Sequence, residues 1–425
     1  MNLARGFQFA TYTILPDEKT IRFNYQVRFD DQKLNFTEKL ILPKRLSSAS
    51  LNDSVKKVLW AVHLMLGVSY WKLYCPKEII VPYPLTKEEA EFWRLVYPNG
   101  LGEFFFKNKI DFRGLVNFPY IEGLKPAKIK GDKISTKRKG GLIGIGGGKD
   151  SIVAVERLKK QKKAVTGFVL ESSVRDYTVQ KKVIKLMGID CLMVRREIDW
   201  KLLDPGGIPP AYYGHVPISA IYSFVGLLLA VVYGYSEVVT ANERSANFGN
   251  VNYLGQVINH QWSKSKEFER MFNTYIKSFL FLKQISYRSI LRNYYELDIT
   301  KKFIKYEKYF SVFSSCNKNF SITKTADSRW CGGCPKCAFV FLCLAAYLPK
   351  DKVLKIFNKN LLADRRLLPI YQDLLGQGRI KPFECVGTPQ ETNEAINIII
   401  NKGEFTNDYI IDKLTNYEDT GIKKI

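Results

Sequence analysis

Two stretches of the chain carry side chains spaced for chemistry. The first is Gly146-Gly147-Gly148-Lys149-Asp150-Ser151, which follows the apolar run Leu142–Ile145 and precedes a helical pattern. Glycines let backbone N–H groups approach a phosphate closely, and a helix starting near Ser151 aims the positive end of its dipole at it. Lys149 can stabilise charge developing on leaving pyrophosphate, Asp150 can help hold Mg2+, and Ser151 can donate to a phosphate oxygen. The second stretch is Cys331-x2-Cys334-x2-Cys337, with Cys316 upstream and Gly332, Gly333 and Pro335 as turn residues. Knuckles of this spacing present thiolates on one tight turn, and four thiolates complete a tetrahedral structural Zn2+ site. An iron–sulfur cluster is the alternative for cysteines this close. Reduced thiols packed beside a buried helix are the reading without a metal.

The loop was tested against the known phosphate-binding patterns. The Walker pattern needs Gly-Lys followed by Ser or Thr, yet Asp150 follows Gly148-Lys149, and Ile143 stands where the first glycine belongs. The dinucleotide fingerprint fails too, because counting from Gly144 and Gly146 brings Lys149 to the third glycine position. The loop resembles the PP-loop of the ATP pyrophosphatases, Ser-Gly-Gly-x-Asp-Ser after a first strand. It departs at Gly146, where the family has Ser, so one hydroxyl contact to pyrophosphate is missing. The resemblance implies that ATP is split to AMP and diphosphate, with adenylation of a carboxylate or carbonyl oxygen.

Such a loop needs a sheet to hold it. From Gly141 onward, short apolar runs alternate with helical patterns, which predicts an α/β fold with a doubly wound parallel sheet. Ligands bind beyond the carboxyl ends of such strands. The glycine cluster, Glu171, Ser172 and the segment Asn242–Asn247 fall there. The expected class is a PP-loop ATP pyrophosphatase, HUP-like sheet, with an N-terminal α+β domain and a helical C-terminal region carrying the cysteines. The expected boundaries are 1–125, a basic linker 126–140, 141–300 and 301–425. In the first part, "QFATYTIL" and "TIRFNYQVRF" flank "PDEK" as a hairpin, and Thr86 three residues before Glu89 predicts a capping box.

At 425 residues the chain favours two or three domains, and 46% hydrophobic residues suffice for sizeable cores. The formal charge of +24 fits a phosphate-bearing partner or a composition rich in scattered Lys. A positive field suits small polyanions as well as nucleic acid. The opening residues contain no secretory pattern, so the eight cysteines are expected to be reduced thiols in the cytoplasm. Cys75, Cys191 and Cys343 sit in apolar surroundings and read as core. The uncharged segment Ile218–Tyr235 is long enough to test as a membrane span. Its Ser219, Ser223, Gly226 and Gly234, and the strand-like "SEVVTA" after it, favour a buried helix instead.

Assembled, the motifs resemble a particular family, that of the ATP-dependent UDP-N-acetylmuramoyl-L-alanyl-L-glutamate epimerases. The resemblance covers most of the chain: "LGVSYWKLYCP" at Leu66, the glycine loop, "GHVPISA" at Gly214, "NERSAN" at Asn242 and "NHQWSKSKEFE" at Asn259. Its most specific parts are "RWCGGCPKCAFVFL" at Arg329 and "KPFECVGTPQET" at Lys381. It implies conversion of the terminal L-Glu of the nucleotide-linked muramoyl dipeptide to D-Glu, with ATP going to AMP and diphosphate, in peptidoglycan precursor synthesis. The implied ligands are ATP, Mg2+ and the UDP-muramoyl dipeptide, with no nucleic acid. An α-proton beside a carboxylate is very weakly acidic; adenylation removes that negative charge and lets the incipient enolate delocalise, so a base and an acid can invert the carbon.

The acid–base candidates are His215, beside the expected ligand edge; Glu243 and Arg244, after a strand; and Cys385, as a thiol. Each has a structural counter-reading: a hydrogen-bonded histidine, an ion pair, an inert thiol. Thr388-Pro389-Gln390-Glu391 reads as a capping box with Pro at the first helical position. The rival enzyme reading is a 7-cyano-7-deazaguanine synthase-like or tRNA-modifying PP-loop enzyme. A rival of another class is a non-catalytic nucleotide- or RNA-binding module.

Overall fold

Alternating side chains build a meander at the amino end. In β2 (Thr20–Arg28), Ile21, Phe23, Tyr25 and Val27 are buried on one face, while the residues between them are exposed or half-buried. The computed structural model describes residues 4–46, 51–126, 138–172, 177–320, 328–378 and 380–416. β1 (Gly6–Ile14) pairs antiparallel with β2, the expected hairpin, and β3 (Lys33–Ile41) pairs with the other edge of β2. Helix α1 (Asp53–Trp71) lies on this meander at Gly67, where an added Cβ would stand 2.3 Å from a ring carbon of Phe9. Only glycine permits that approach. β4 (Glu78–Ile80) adds parallel to β1. The capping box of Thr86 and Glu89 starts α2 (Lys87–Gly100), and α3 (Gly102–Asn108) follows it.

The second half of the sheet alternates strand and helix. It runs β5 (Arg138–Gly144), α4 (Lys149–Lys160), β6 (Val165–Ser172), α5 (Thr178–Met187), β7 (Cys191–Glu197), α6 (Ile218–Tyr233) and β8 (Tyr235–Thr240). A short hairpin, β9 (Val251–Tyr253) and β10 (Gln256–Ile258), precedes α7 (Lys266–Ser278) and β11 (Ser286–Ser289). The strands stand in the order β11-β8-β5-β6-β7 and are all parallel. The order reverses at β5, so this is the doubly wound arrangement expected from the sequence. A crevice opens beyond the carboxyl ends of β5 and β8, where the connections diverge to opposite faces. Leu142 and Ile143, and Val238 and Val239, are buried on both faces of their strands, as a sheet covered on both sides requires.

The two halves share one sheet. Lys39, Leu40 and Ile41 of β3 pair antiparallel with Glu197, Arg196 and Arg195 of β7, giving nine strands in the order β11-β8-β5-β6-β7-β3-β2-β1-β4. Glu38 occupies a core-facing position of β3 and pairs there with Arg196: Nε donates to Oε1 at 2.7 Å, and Nη2 donates to Oε2 and to Ser69 Oγ at 3.2 Å each. Helix α6 is buried between the parallel strands and α1, as a covering helix. Among the described residues no helix is long and apolar enough to cross a membrane. Of the expected basic linker, residues 127–137 lie outside the described residues.

The carboxyl-terminal helices cover the other face. These are α8 (Glu296–Phe303), α9 (Pro335–Tyr347), α10 (Lys350–Phe357), α11 (Leu368–Leu374), α12 (Pro389–Lys402) and α13 (Tyr409–Asn416). Helix α9 is apolar all round and packs against α8, α10, α11 and α12. Its core is continuous with Ile143, Val239 and the buried side of α4. Cys343 is buried in α9 and Cys75 in the first core, while Cys191 is half-buried.

Candidate active site

The glycine loop turns from β5 into α4 at the crevice. Gly147 takes φ +87°, a left-handed conformation that side chains rarely adopt. An added Cβ on Gly148 would stand 2.5 Å from Ser315 Oγ, and Gly147 O accepts from Ser314 N–H at 3.2 Å, so the loop is held by the segment leading to Cys316. Gly146 is exposed, with open space around its Cα. Asn52, Thr86, Ser265 and Thr388 cap the amino ends of α1, α2, α7 and α12 with side-chain oxygens. Helix α4 begins at Gly148 with no side-chain cap. Its first N–H groups are thus left for an anion. Ser151 Oγ donates to Gly148 O at 2.9 Å and sits at the start of this helix.

Lys149 points into the protein. Its fully buried Nζ donates to Asp150 Oδ1 at 2.6 Å and to Glu296 Oε2. Burial alone would depress its pKa, but the two carboxylates raise it above the usual lysine value. Glu296 is buried at the start of α8 and also faces Lys336 Nζ at 3.5 Å. Lys336 lies between Cys334 and Cys337, and its Nζ donates to Cys385 O. The knuckle therefore delivers a cation into the site, and Lys336 N–H binds the Glu384 carboxylate at 2.7 Å. Glu391 is the capping-box carboxylate of α12. It accepts from Thr388 N–H at 2.8 Å, from Ser245 Oγ at 2.6 Å and from Glu296 N–H at 2.6 Å, tying α12, α8 and the segment after β8 together.

Above this base lies a less saturated layer. Both carboxylate oxygens of Glu243 are buried without a hydrogen-bond partner, and the nearest cation is Lys264 Nζ at 3.8 Å. Lys381 Nζ is likewise buried and unpartnered, and burial lowers its pKa. Cys385 is half-buried. Burial pushes its thiol pKa up, but Lys264, His260 and Lys336 outweigh it and bring the value to about 7. Burial likewise pushes His260 down, while Cys385 and the bonded Glu103 carboxylate raise it to about 9.

A carboxylate from the amino-terminal half closes this set. Glu103 of α3 is buried; Oε2 stands 2.5 Å from His260 Nδ1 and 3.2 Å from His215 Nδ1, and Oε1 accepts from Lys107 at 2.5 Å. The two imidazoles lie 4.7 Å apart, centre to centre. Burial and the charge on His260 push His215 down to about 3 against the pull of Glu103, so the pair holds one neutral and one cationic ring at neutral pH.

The four cysteines form a compact cluster. The sulfurs of Cys316, Cys331, Cys334 and Cys337 all lie within 4.8 Å of one another. N–H groups of Cys331, Gly333 and Cys337 each donate to a cysteine sulfur at 3.4 Å. Mutual hydrogen bonding raises the Cys334 and Cys337 pKa values, so four thiolates would coexist here only around a cation. The donor set fits zinc.

The expected site residues do not all meet. Asp150, Glu243 and Cys385 share one charged cluster around the Lys264 and Lys336 ammonium groups, and His215 lies against His260. Glu171 and Ser172 end β6, the strand beside β5; Lys181 stands 3.5 Å from Glu171, and Ser172 Oγ is buried without a partner. Arg244 is exposed and stacks over Tyr295, away from the Glu243 carboxylate. A cavity of about 590 Å3 lies elsewhere, between α1 and α2, lined by Trp60, Tyr83 and Tyr275 and holding none of these groups. Sequence reading missed Glu103, His260, Lys264, Glu296, Lys336 and Lys381. Lys336 was findable from its position inside the knuckle, and Lys264 and Lys381 from the quoted motifs. Glu296 and Glu103 carry no sequence signal.

Residues 2–290 match the family model described as the MurL N-terminal domain, and residues 312–424 match the MurL C-terminal domain. The chain is 34% identical over 419 residues to the UDP-N-acetyl-alpha-D-muramoyl-L-alanyl-L-glutamate epimerase of a Micromonospora species, covering 97% of this chain and 90% of that protein. It is 34% identical over 401 residues to the enzyme of that name in Salinispora tropica (93% and 84% covered). The Xanthomonas oryzae enzyme of that name is 35% identical over 364 residues (85% and 78%). Two solved structures overlap in part. A predicted subunit of tRNA methyltransferase from Methanocaldococcus jannaschii matches with TM-score 0.26 and 17% identity, over 39% of this chain and 74% of that one. NMN synthetase from Francisella tularensis matches with TM-score 0.24 and 16% identity, over 40% and 62%. Overlaps this small bear on neither function nor mechanism.

Proposed function

Because the chain belongs to the MurL family of UDP-N-acetyl-alpha-D-muramoyl-L-alanyl-L-glutamate epimerases, we propose that it inverts the terminal L-Glu of UDP-N-acetylmuramoyl-L-Ala-L-Glu to D-Glu. In this reading the inversion is driven by ATP, in the cytoplasm, as a step of peptidoglycan precursor synthesis. A carboxylate oxygen of the glutamyl residue attacks the α-phosphorus of ATP and diphosphate leaves. The acyl adenylate carries no negative charge beside its α-carbon, so the C–H electron pair can move into an enolate. After inversion, water cleaves the mixed anhydride to the D-glutamyl carboxylate and AMP.

What supports this reading is one juxtaposition: Asp150, at an uncapped, glycine-entered helix start, and the Cys385 thiol share the Lys264 and Lys336 cations. Backbone N–H groups of Gly146–Gly148 and Ser151 would hold phosphates, and Asp150 would hold Mg2+, which neutralises charge on the departing diphosphate. Lys149 fixes Asp150 rather than reaching outward. Glu171 and Ser172 would meet the nucleoside side. The Cys385 thiolate would take the α-proton, and a neighbouring ammonium would return one; Lys381, whose Nζ has no hydrogen-bond partner, is our candidate for that acid. Glu243 would orient the substrate amide or that ammonium. His215 supports His260, and exposed Arg244 would meet an outer anionic group. Zinc on the four cysteines would pin the loop segment at Ser314–Cys316 and Lys336 in place.

The test is incubation with ATP, Mg2+ and the UDP-muramoyl-L-Ala-L-Glu peptide, reading glutamate chirality and AMP together. D-Glu appearing with AMP supports the proposal. AMP formed without inversion, or inversion without ATP, refutes it.

A further inference from the structure

Every polar atom of Gln261 is engaged except one. The residue is buried in the turn that leads into α7. Its N–H donates to Asn259 Oδ1 at 2.8 Å, its carbonyl accepts from Lys264 N–H at 2.7 Å, and its Nε2 donates to Val386 O at 3.2 Å. Oε1 is buried and meets no partner among the described residues. Because Val386 O can only accept, the amide atom facing it is the nitrogen, and the atom left over is an acceptor. Two neighbouring amides differ. Asn259 Nδ2 donates to Ala246 O at 2.9 Å while its Oδ1 accepts from Gln261; Asn250 Nδ2 donates to Pro382 O at 2.8 Å while its Oδ1 accepts from His260 N–H at 2.8 Å. Those two side chains are complete and hold the turn. Gln261 is anchored by its nitrogen to the residue after Cys385, with its oxygen free.

Three further buried atoms of this region lack a hydrogen-bond partner: both carboxylate oxygens of Glu243, and Lys381 Nζ. Asn250 also donates to the Lys381 carbonyl at 3.2 Å, which fixes Lys381 against the turn that carries Gln261, and Lys264 Nζ of the same turn stands 3.8 Å from Glu243. Lys381 calls for an anion, and the free oxygens call for hydrogen donors. Phosphate groups supply only the first. An N-acyl amino acid supplies both, an N–H and a carboxylate on one carbon. Glu243 already has an ammonium beside it, which leaves the neutral Gln261 oxygen to a neutral N–H. We propose that Gln261 Oε1 accepts the N–H on the α-carbon of the glutamyl residue, so that this residue makes the site specific for an amide-linked amino acid. The proposal rests on the epimerase reading for the identity of the peptide, whereas the binding preference can be read without turnover.

Binding of the UDP-muramoyl-L-Ala-L-Glu peptide to the full-length protein is measured by titration calorimetry without ATP. It is compared with an analogue in which L-2-hydroxyglutarate is ester-linked to the alanine, so that oxygen replaces that one N–H. The wild type is expected to bind the amide about tenfold or more tightly than the ester, because the ester leaves Oε1 buried and unpaired. Gln261→Met and Gln261→Ala, which remove the acceptor, are expected to bind the two ligands within about threefold of each other. General damage to the turn would weaken both ligands alike and leave their ratio unchanged. Equal affinity for the two ligands in the wild type, or no binding of the amide, overturns the proposal even if no variant folds. So does a full preference for the amide in either variant. With ATP, α-deuterium uptake should show the same preference in kcat/KM. A preference in binding with no uptake from either ligand would leave the amide contact standing and remove the epimerase reading.

Discussion

Glu38 and Arg196, at the seam between β3 and β7, meet so that both carboxylate oxygens are bonded and the guanidinium also reaches Ser69. Glu243 and Lys381, in the charged cluster around Cys385, are buried as well, yet the Glu243 oxygens and Lys381 Nζ meet no hydrogen-bond partner. A buried polar group left unpaired costs about 1–3 kcal/mol, and more when charged. The seam is saturated and serves the fold. The cluster is short of partners, as groups that meet a charged ligand are, and its charges bring the Cys385 thiol pKa down to about 7. The contrast separates buried charges that hold strands together from those that face a substrate.

Four changes would sharpen or break it. Asp150→Ala should lower AMP formation by about a hundredfold or more while leaving thermal stability near wild type, measured by a diphosphate-release assay and by calorimetry. Near-normal turnover would remove the loop from the chemistry. Glu38→Ala should do the reverse: it leaves Arg196 buried without its carboxylate and should destabilise the protein by about 3–5 kcal/mol in urea titration. Should that variant keep its stability but lose activity, the two regions have been assigned the wrong way round. Glu243→Gln should reduce α-deuterium uptake about tenfold or more at stability close to wild type, since the charge it removes has no hydrogen bond and only the Lys264 ammonium at 3.8 Å. Smallest of the set, Thr86→Ala should cost about 1 kcal/mol by breaking the α2 capping box, with no change in turnover. The thiol also sets a pH dependence. Uptake should rise as Cys385 ionises through about pH 7.

The regular parts of this architecture were legible in the sequence because local signals agree with the fold. Apolar runs at Leu142–Ile145 and Val238–Val239, the Thr86 and Thr388 caps and the cysteine spacing each have a short-range physical cause. Strand β3 was not expected: Glu38 interrupts its apolar alternation, and its partner Arg196 lies 158 residues away. The charged cluster was half legible for the same reason. Asp150 and Cys385 sit in recognisable stretches, whereas Glu103 and Glu296 acquire meaning only from neighbours brought by other strands and helices. Glu103 is three residues past the end of α2, in a segment with no motif of its own. No spacing rule connects it to His260.

The central claim is that transfer of AMP to the glutamyl carboxylate is what makes its α-hydrogen labile. The most direct measurement is proton NMR of the UDP-muramoyl-L-Ala-L-Glu peptide in heavy water with the protein, with and without ATP. The α-proton signal of Glu should fade only when ATP is present, and the deuterated product should contain D-Glu. Exchange at that carbon without ATP, or ATP cleavage with the α-proton untouched, would contradict it.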